Sequence, residues 1–253
     1  RPGELTGQAS RIGAIPVPLF EAFMEQAIED RMENSQATAI VTTPHLKTRI
    51  PFEKLPHLKH IILVGAHELK KNEISYEQEM NKANDNCEPE WLAVDDGLVI
   101  HYTSGSTGKS KGVLHRQYAM VGHYQTAKWS LDLKENDIFW NTADPGWVTG
   151  TSYGIYGPWT LGITSVVRGG RFDAEKWWST IENYKVTVWY SAPTAFRMLM
   201  SAGEEIPAKY NFESLRHVCS VGEPLNPEAL RWIWKVTGKP PHETWWMTET
   251  GMH

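Results

Sequence analysis

The stretch "GLVIHYTSGSTGKSKGVLH" (97–115) runs an apolar segment straight into a loop of glycines, hydroxyls and lysines. Residues 97–105 read as a strand that delivers the loop to one end of a sheet. Gly108-Lys109-Ser110 matches the tail of the ATPase phosphate loop, G-x-x-x-x-G-K-[ST]. Where that pattern needs its first glycine stands Thr103, so the spacing excludes such a loop. What remains is Thr103, Ser104, Gly105, Ser106, Thr107 and Gly108, followed by Lys109 and Lys111. Small residues let backbone N–H groups converge on an anion, the hydroxyls add donors, and the lysines bring positive charge. Two readings follow: a grip for the β- and γ-phosphates of a nucleotide, or a mobile surface turn.

The flanking sequence sets the fold class. "PLFEAFMEQAIEDRMEN" (18–34) puts Phe20, Phe23, Met24, Ala27 and Ile28 on one helical stripe, with Pro18 near its start. Apolar runs at 38–44, 58–65, 137–143, 164–170, 186–192, 215–222 and 243–249 read as strands. The polar stretch 67–90 lacks a period and reads as a surface excursion. Asp173 caps a helix over "AEKWWSTIENY", and Asn226-Pro227 opens another that stops at Gly238. Strands alternating with such helices predict an α/β fold, layered, with mostly parallel sheets flanked by helices. In such sheets ligands gather at the carboxyl ends of the strands, where this sequence concentrates its glycines, hydroxyls and lone acids.

Composition narrows the function classes. The chain has 253 residues, 41% hydrophobic and 22% charged, which suits a globular protein of one large domain or two small ones. A formal charge of −5 without a basic run argues against a nucleic-acid partner. No apolar run is long enough for a membrane span. Cys87 and Cys219 cannot build a disulfide framework and suit a reducing, cytoplasmic setting. The opening "RPGELTG", without Met, and the stop at "WWMTETGMH" predict an excerpt from a longer protein. No histidine pair has the spacing of a zinc-binding motif, and His101 and His115 are expected to be structural.

Three further segments carry candidate chemistry. "WNTADPGWVTGTSYGIYGPW" (140–159) is a glycine-punctuated turn opening into a helix; Trp147 in it is a pocket wall or core filling. "SVGEPLNPE" (220–228) makes a Gly-Glu-Pro bend after a strand, which also reads as a helix entry. In "ETWWMTETG" (243–251) neighbouring strand residues face opposite ways, so Trp245 and Trp246 must serve different surroundings. A buried Glu249 would need a cation beside it, which makes it a candidate Mg²⁺ ligand; a solvated Glu249 is the alternative.

T-S-G-S-T-G-x-x-K-G (103–112) resembles the signature loop of the adenylate-forming enzymes, with Ser110 where that family usually has proline. The later motifs resemble its acetate- and short-chain acyl-CoA synthetase branch, and the likeness extends from Arg11 to Gly251. The resemblance implies part of a large N-terminal adenylation domain spanning residues 1–253, whose small C-terminal domain lies outside this sequence. It implies that Gly222, Glu223 and Pro224 line adenine and ribose and that Trp245 packs on the base. Glu243 and Thr244 flank that base site, Glu243 standing where Asp is common. Thr248 lies near the α-phosphate, Glu249 holds Mg²⁺, and Lys111 joins them as catalytic. Trp147, Val148, Thr149, Val221 and Trp246 enclose the acyl group, with Trp246 as the floor, and Arg11 meets the coenzyme A phosphates.

The implied reaction is ATP-dependent activation of acetate or a similar short carboxylate to an acyl-adenylate with pyrophosphate release. Transfer to coenzyme A, giving acyl-CoA and AMP, follows. The alternatives are adenylation of another small acid, or a degenerate nucleotide-binding homologue. Since the family's ribose-binding Asp, hinge and catalytic Lys fall in later sequence, the chain alone is expected to be inactive or nearly so.

Overall fold

Two prolines one residue apart, Pro16 and Pro18, govern how the chain enters its first unit. The residue before each proline is pushed toward extended backbone, and the Pro16 carbonyl accepts the Ile100 N–H at 3.0 Å. The helix expected over 18–34 therefore begins only at Glu25, with Met24 extended at φ −98° as its cap. Phe20 and Phe23 meet edge to face, 5.7 Å apart, and the Arg31 guanidinium lies 4.1 Å over the Phe23 ring.

This computed structural model describes residues 2–66, 68–103 and 110–253, with side chains from Leu5 onward. The chain divides into two compact units, residues 8–116 and residues 1–7 with 117–253. Helix α1 (Pro2–Arg11) leads into the first unit and is followed by α2 (Glu25–Ser35). Then come β1 (Ala39–Thr42), α3 (Pro44–Lys47), β2 (His60–Leu63), β3 (Glu73–Ser75) and α4 (Tyr76–Lys82). The three strands form a parallel sheet in the order β1-β2-β3. The stretch expected to be an irregular excursion thus supplies both β3 and α4. A three-residue strand is too short to show a period, and Ser75 caps α4 by accepting the Gln78 N–H. β4 (Gly97–Thr103) pairs antiparallel with β5 (Lys111–Arg116), so Thr103 faces Lys111 across the ladder. His101 and His115 are both buried in this hairpin, as expected of structural residues.

The second unit is a five-stranded parallel sheet in the order β10-β9-β8-β6-β7. Its elements are α5 (Ala119–Trp129), β6 (Ile138–Asn141), α6 (Val148–Thr151), a π-helical turn at Ser152–Tyr156 and α7 (Gly157–Thr160). β7 (Thr164–Val166), α8 (Ala174–Asn183), β8 (Val188–Ser191) and α9 (Pro193–Ser201) follow, then β9 (His217–Ser220), α10 (Pro227–Thr237) and β10 (Pro241–Glu243). The sequence-based caps are realised: Asp173 accepts the Lys176 N–H at 3.0 Å, Asn226 accepts that of Ala229 at 2.9 Å, and Gly238 closes α10 at φ +70°. Every residue of β8 is buried, as expected for a strand covered on both faces. Its alternation sends Trp189 into one apolar cluster, with Trp140, Trp178 and Phe196, and Val188 and Tyr190 into another, with Phe139, Tyr153, Val221 and Trp246.

The strand expected over 243–249 stops at Glu243. Thr244 still donates its N–H to the Ser220 carbonyl at 2.9 Å. Beyond it, the Thr250 hydroxyl takes the Met247 N–H at 3.1 Å. The ladder ends because β9 stops opposite Glu243, at Ser220, and the local side-chain bond then holds the released chain in a turn.

The amino edge of this sheet is tied by one charged cluster. Arg216, just before β9, reaches Asp137, just before β6, at 2.8 Å through Nε and 2.5 Å through Nη2, and Asp132 at 2.8 Å through Nη1. Thr187, just before β8, donates to Asp137 at 2.7 Å, and so does the Lys134 N–H. Burial acts to raise the Asp137 pKa, but the bonds from Arg216, Thr187 and Lys134 outweigh it and hold the carboxyl below its ordinary range. A depressed carboxylate pKa stabilises the fold above its unfolded value, and the contribution is lost as pH falls through the folded one. Removing one partner of a buried pair costs about 3–5 kcal/mol. Arg216→Met is expected near the lower end, since the guanidinium side chain keeps 29% exposure, with a weaker acid dependence of stability below pH ~4. Urea denaturation at pH 7 and in acid measures both.

Candidate active site

The carboxyl ends of β8, β9 and β10 release residues 191–194, 220–225 and 243–249 at one edge of the second unit's sheet. Gly222, two residues after the end of β9, sits at φ +95°, a backbone region that glycine enters without penalty. This turn aims Glu223 at the start of α9. There its carboxylate accepts the Thr194 N–H at 3.0 Å, the Arg197 guanidinium at 2.9 Å and the Thr194 hydroxyl. Thr194 N–H belongs to the first turn of α9, where backbone donors lack helical partners. Hydrogen bonds from Thr194, joined by Arg197, keep the Glu223 carboxyl below its ordinary range. Pro224 is exposed on the same bend. Glu243 fastens the far side by accepting the Leu225 N–H at 2.8 Å.

Trp245 and Trp246 separate as expected, although neither lies in a strand. Trp245 is 77% exposed and Trp246 only 9%. The Trp246 ring stands edge-on to Tyr153 at 5.0 Å, and its indole N–H donates to the Tyr190 hydroxyl at 3.2 Å. Val221 and Val148 belong to the same apolar cluster. Three of the residues expected to enclose an acyl group, Val148, Val221 and Trp246, are therefore together.

Thr149 lies in α6 beside them, its carbonyl taking the Asn141 amide at 2.9 Å. The turn before α6 is tight: the Asp144 carbonyl lies 2.0 Å from where a Cβ on Gly150 would sit, so only glycine fits there. Trp147, at the start of α6, keeps 45% exposure, which is not the environment of core filling.

Thr248 is half-buried and Glu249 exposed in the turn after Met247. Desolvation thus supplies no need for a cation at Glu249. Among the described residues no three acids, histidines or cysteines form a metal-holding group. Thr244 bonds through its hydroxyl to the Ser220 carbonyl at 2.9 Å and to Tyr190 at 2.8 Å. In the other unit, Lys111 is exposed at the start of β5 and Thr103 half-buried at the end of β4. Arg11 donates twice to the Cys87 carbonyl, at 2.8 and 3.2 Å. Ser104, Gly105, Ser106, Thr107, Gly108 and Lys109 lie outside the described residues.

Sequence reasoning missed a layer of supporting groups. Tyr190 looked like one more core residue of a strand, and Thr194 and Arg197 belong to a helix that no motif announced. His253 stacks on Tyr153 at 4.4 Å and meets the Tyr190 hydroxyl at 3.0 Å. Burial, reinforced by His242 and His123, pushes its pKa down to about 4, so the ring is neutral near pH 7. Burial likewise pushes the Tyr153 phenol up to about 12.

Among the described residues no helix is long and apolar enough to cross a membrane. The chain is 60% identical to the acetyl-coenzyme A synthetase of Bacillus subtilis, over 96% of its own length and 43% of the relative's. It is 38% identical to that of Helicobacter pylori strain G27, over 96% of this chain and 41% of the relative. The chain thus spans less than half the length of the curated relatives it matches. An acyl-CoA synthetase from Brucella canis has a similar fold, with a TM-score of 0.89 and 35% identity over 97% of this chain and 45% of that one. The family model described as "AMP-binding enzyme" matches residues 9–253, and the chain belongs to that family.

Proposed function

We propose that this chain supplies the nucleotide and acyl sites of an AMP-forming acetate–CoA ligase. It is then part of a larger N-terminal adenylation domain, in a cytoplasmic protein whose ligands are a short carboxylate, ATP and coenzyme A. The observation that carries the substrate class is the buried Trp246 indole, which joins Val148 and Val221 in one apolar cluster beside the turns at 222–224 and 243–245. The likeness to relatives named acetyl-coenzyme A synthetase supports the same reading.

In this proposal a carboxylate oxygen attacks the α-phosphorus of ATP. The bond from that phosphorus to the β-phosphate's bridging oxygen breaks, and pyrophosphate leaves. The thiol of coenzyme A then adds at the acyl carbon and AMP departs. No residue needs to become a covalent nucleophile; the protein holds two anions in line and stabilises the charge between them. Trp245, exposed and flat, is suited to stack on adenine, with Gly222, Glu223, Pro224 and Glu243 beside it. The Glu223 carboxylate, already engaged by Thr194 and Arg197, acts by holding the bend rather than by reaching a ligand itself. Residues 103–109 and Lys111 are assigned the phosphates, Thr248 the α-phosphate and Arg11 the coenzyme A phosphates.

Glu249 fits Mg²⁺ in a limited sense. A lone exposed carboxylate suits an ion that keeps several waters and takes its other ligands from substrate phosphates. Bound there, Mg²⁺ would neutralise phosphate charge. Glu249→Gln in the enzyme containing this chain is expected to cut acetate-dependent ATP–pyrophosphate exchange by about 10–100-fold, with partial recovery at high Mg²⁺. An unchanged rate removes Glu249 from the metal role.

Chain length tests the floor. One methylene in an apolar pocket changes discrimination by about 1–3 kcal/mol, and a rigid indole adds steric exclusion. Trp246→Gly should admit acids of four or more carbons, lowering the acetate-to-pentanoate ratio of kcat/KM by at least ~10-fold. An unchanged ratio would sink the assignment of Trp246 as the floor.

A further inference from the structure

The Trp246 side chain has one polar atom, and what that atom touches decides where the indole plane lies. Its N–H can only donate, and the Tyr190 hydroxyl takes it at 3.2 Å. The same hydroxyl meets the Thr244 hydroxyl at 2.8 Å and the His253 Nε2 at 3.0 Å. Thr244 in turn lies 2.9 Å from the Ser220 carbonyl, an obligate acceptor.

One arrangement of protons satisfies all of these contacts. Thr244 donates to Ser220, Tyr190 donates to Thr244, and the two lone pairs of the Tyr190 oxygen receive the Trp246 N–H and the His253 Nε2–H. His253 must be neutral and protonated on Nε2, which leaves Nδ1 as a bare lone pair. That is consistent with Nδ1 being buried without a hydrogen-bond partner among the described residues. Around this hub, Tyr153 stands edge-on to the indole at 5.0 Å, and the His253 ring stands edge-on to it at 5.6 Å. Tyr190 itself is fully buried in β8, between β6 and β9.

We infer that Tyr190 is a positioning residue for acyl-chain selection, its hydroxyl pinning the Trp246 indole so that the floor excludes longer acids. The inference rests on the proposed role of Trp246. Two rings fix the tilt of the indole, but rings alone permit it to slide or rotate within its plane. The hydrogen bond to a tyrosine anchored in a central strand removes that freedom. Without it, the indole N–H would have to turn toward another acceptor, and the floor would lose its rigidity.

The test compares kcat/KM for acetate and pentanoate at saturating ATP and coenzyme A, in the full enzyme containing this chain. Tyr190→Phe, which deletes only the oxygen, is expected to lower the acetate-to-pentanoate ratio by ~10-fold, less than Trp246→Gly does. Thr126→Val is the control. Thr126 bonds the Tyr153 hydroxyl at 2.6 Å in the same cluster and is not among the partners of Tyr190, so its loss should lower Tm and leave the ratio unchanged. A purely structural role for Tyr190 would reduce kcat/KM for both acids alike.

If Trp246→Gly relaxes the ratio and Tyr190→Phe does not, the inference is overturned and the floor assignment stands. If Trp246→Gly also leaves the ratio unchanged, both fall. Equal relaxation by Thr126→Val would mean that general softening of the cluster is responsible, which also overturns the role of Tyr190. Should Tyr190→Phe not fold, Thr244→Val removes the hydroxyl's acceptor and should give a smaller relaxation of the same sign. An unchanged ratio in that variant overturns the inference.

Discussion

A single guanidinium organises the amino edge of the five-stranded sheet. Arg216 joins the segments that lead into β6 and β9, and Asp137 carries the connection to Thr187, which leads into β8. The cluster is costly to desolvate, and it repays that cost only because nearly every oxygen has a donor. Its structural consequence is positional. With the amino ends held together, the carboxyl ends of β8 and β9 are free to diverge into the loops that carry Ala192–Thr194 and Gly222–Pro224 without loss of register. Sheets of this kind place ligands at that edge.

The two faces of the sheet divide the labour. One is packed with indoles from β6, β8 and α8: Trp140 and Trp189 stack 6.2 Å apart, and Trp178 meets Trp189 edge-on at 5.6 Å. The other face has polar handles on its rings. Tyr153, Tyr190 and Trp246 lie among Phe139, Val188 and Val221, and their hydroxyls and N–H are joined to Thr126, Thr244 and His253. On this face the polar tips of Tyr153, Tyr190 and Trp246 all have partners. Those bonds give a hydrophobic cluster directional order, and the face that carries the proposed acyl site is the one that has it.

Much of this was legible beforehand because the relevant signals are local. Asp173, Asn226-Pro227 and Gly238 act on backbone groups within a turn of themselves, so the ends of α8 and α10 followed from residue type. The apolar runs of β4, β6, β8 and β9 were long enough to stand out. Two of the failures were also local in origin. Prolines 16 and 18 won over an apolar stripe of helical period, and β3 was too short to show any alternation. The expected strand stopped several residues early because its partner β9 ends opposite Glu243, at Ser220, although the opposed directions of Trp245 and Trp246 survived because Trp246 had a cluster to enter.

The amino-acid sequence by itself determined the layered α/β class, the family likeness in the 103–112, 220–228 and 243–251 motifs, and the opposed settings of Trp245 and Trp246. Those properties depend on residue type and spacing along the chain. Only the tertiary structure decided that Glu223 caps α9, that Glu249 is exposed, and that Tyr190 holds the Trp246 indole. Those contacts join residues 26–56 positions apart or depend on how much water each group keeps. Burial and long-range partners exist only once the strands have paired.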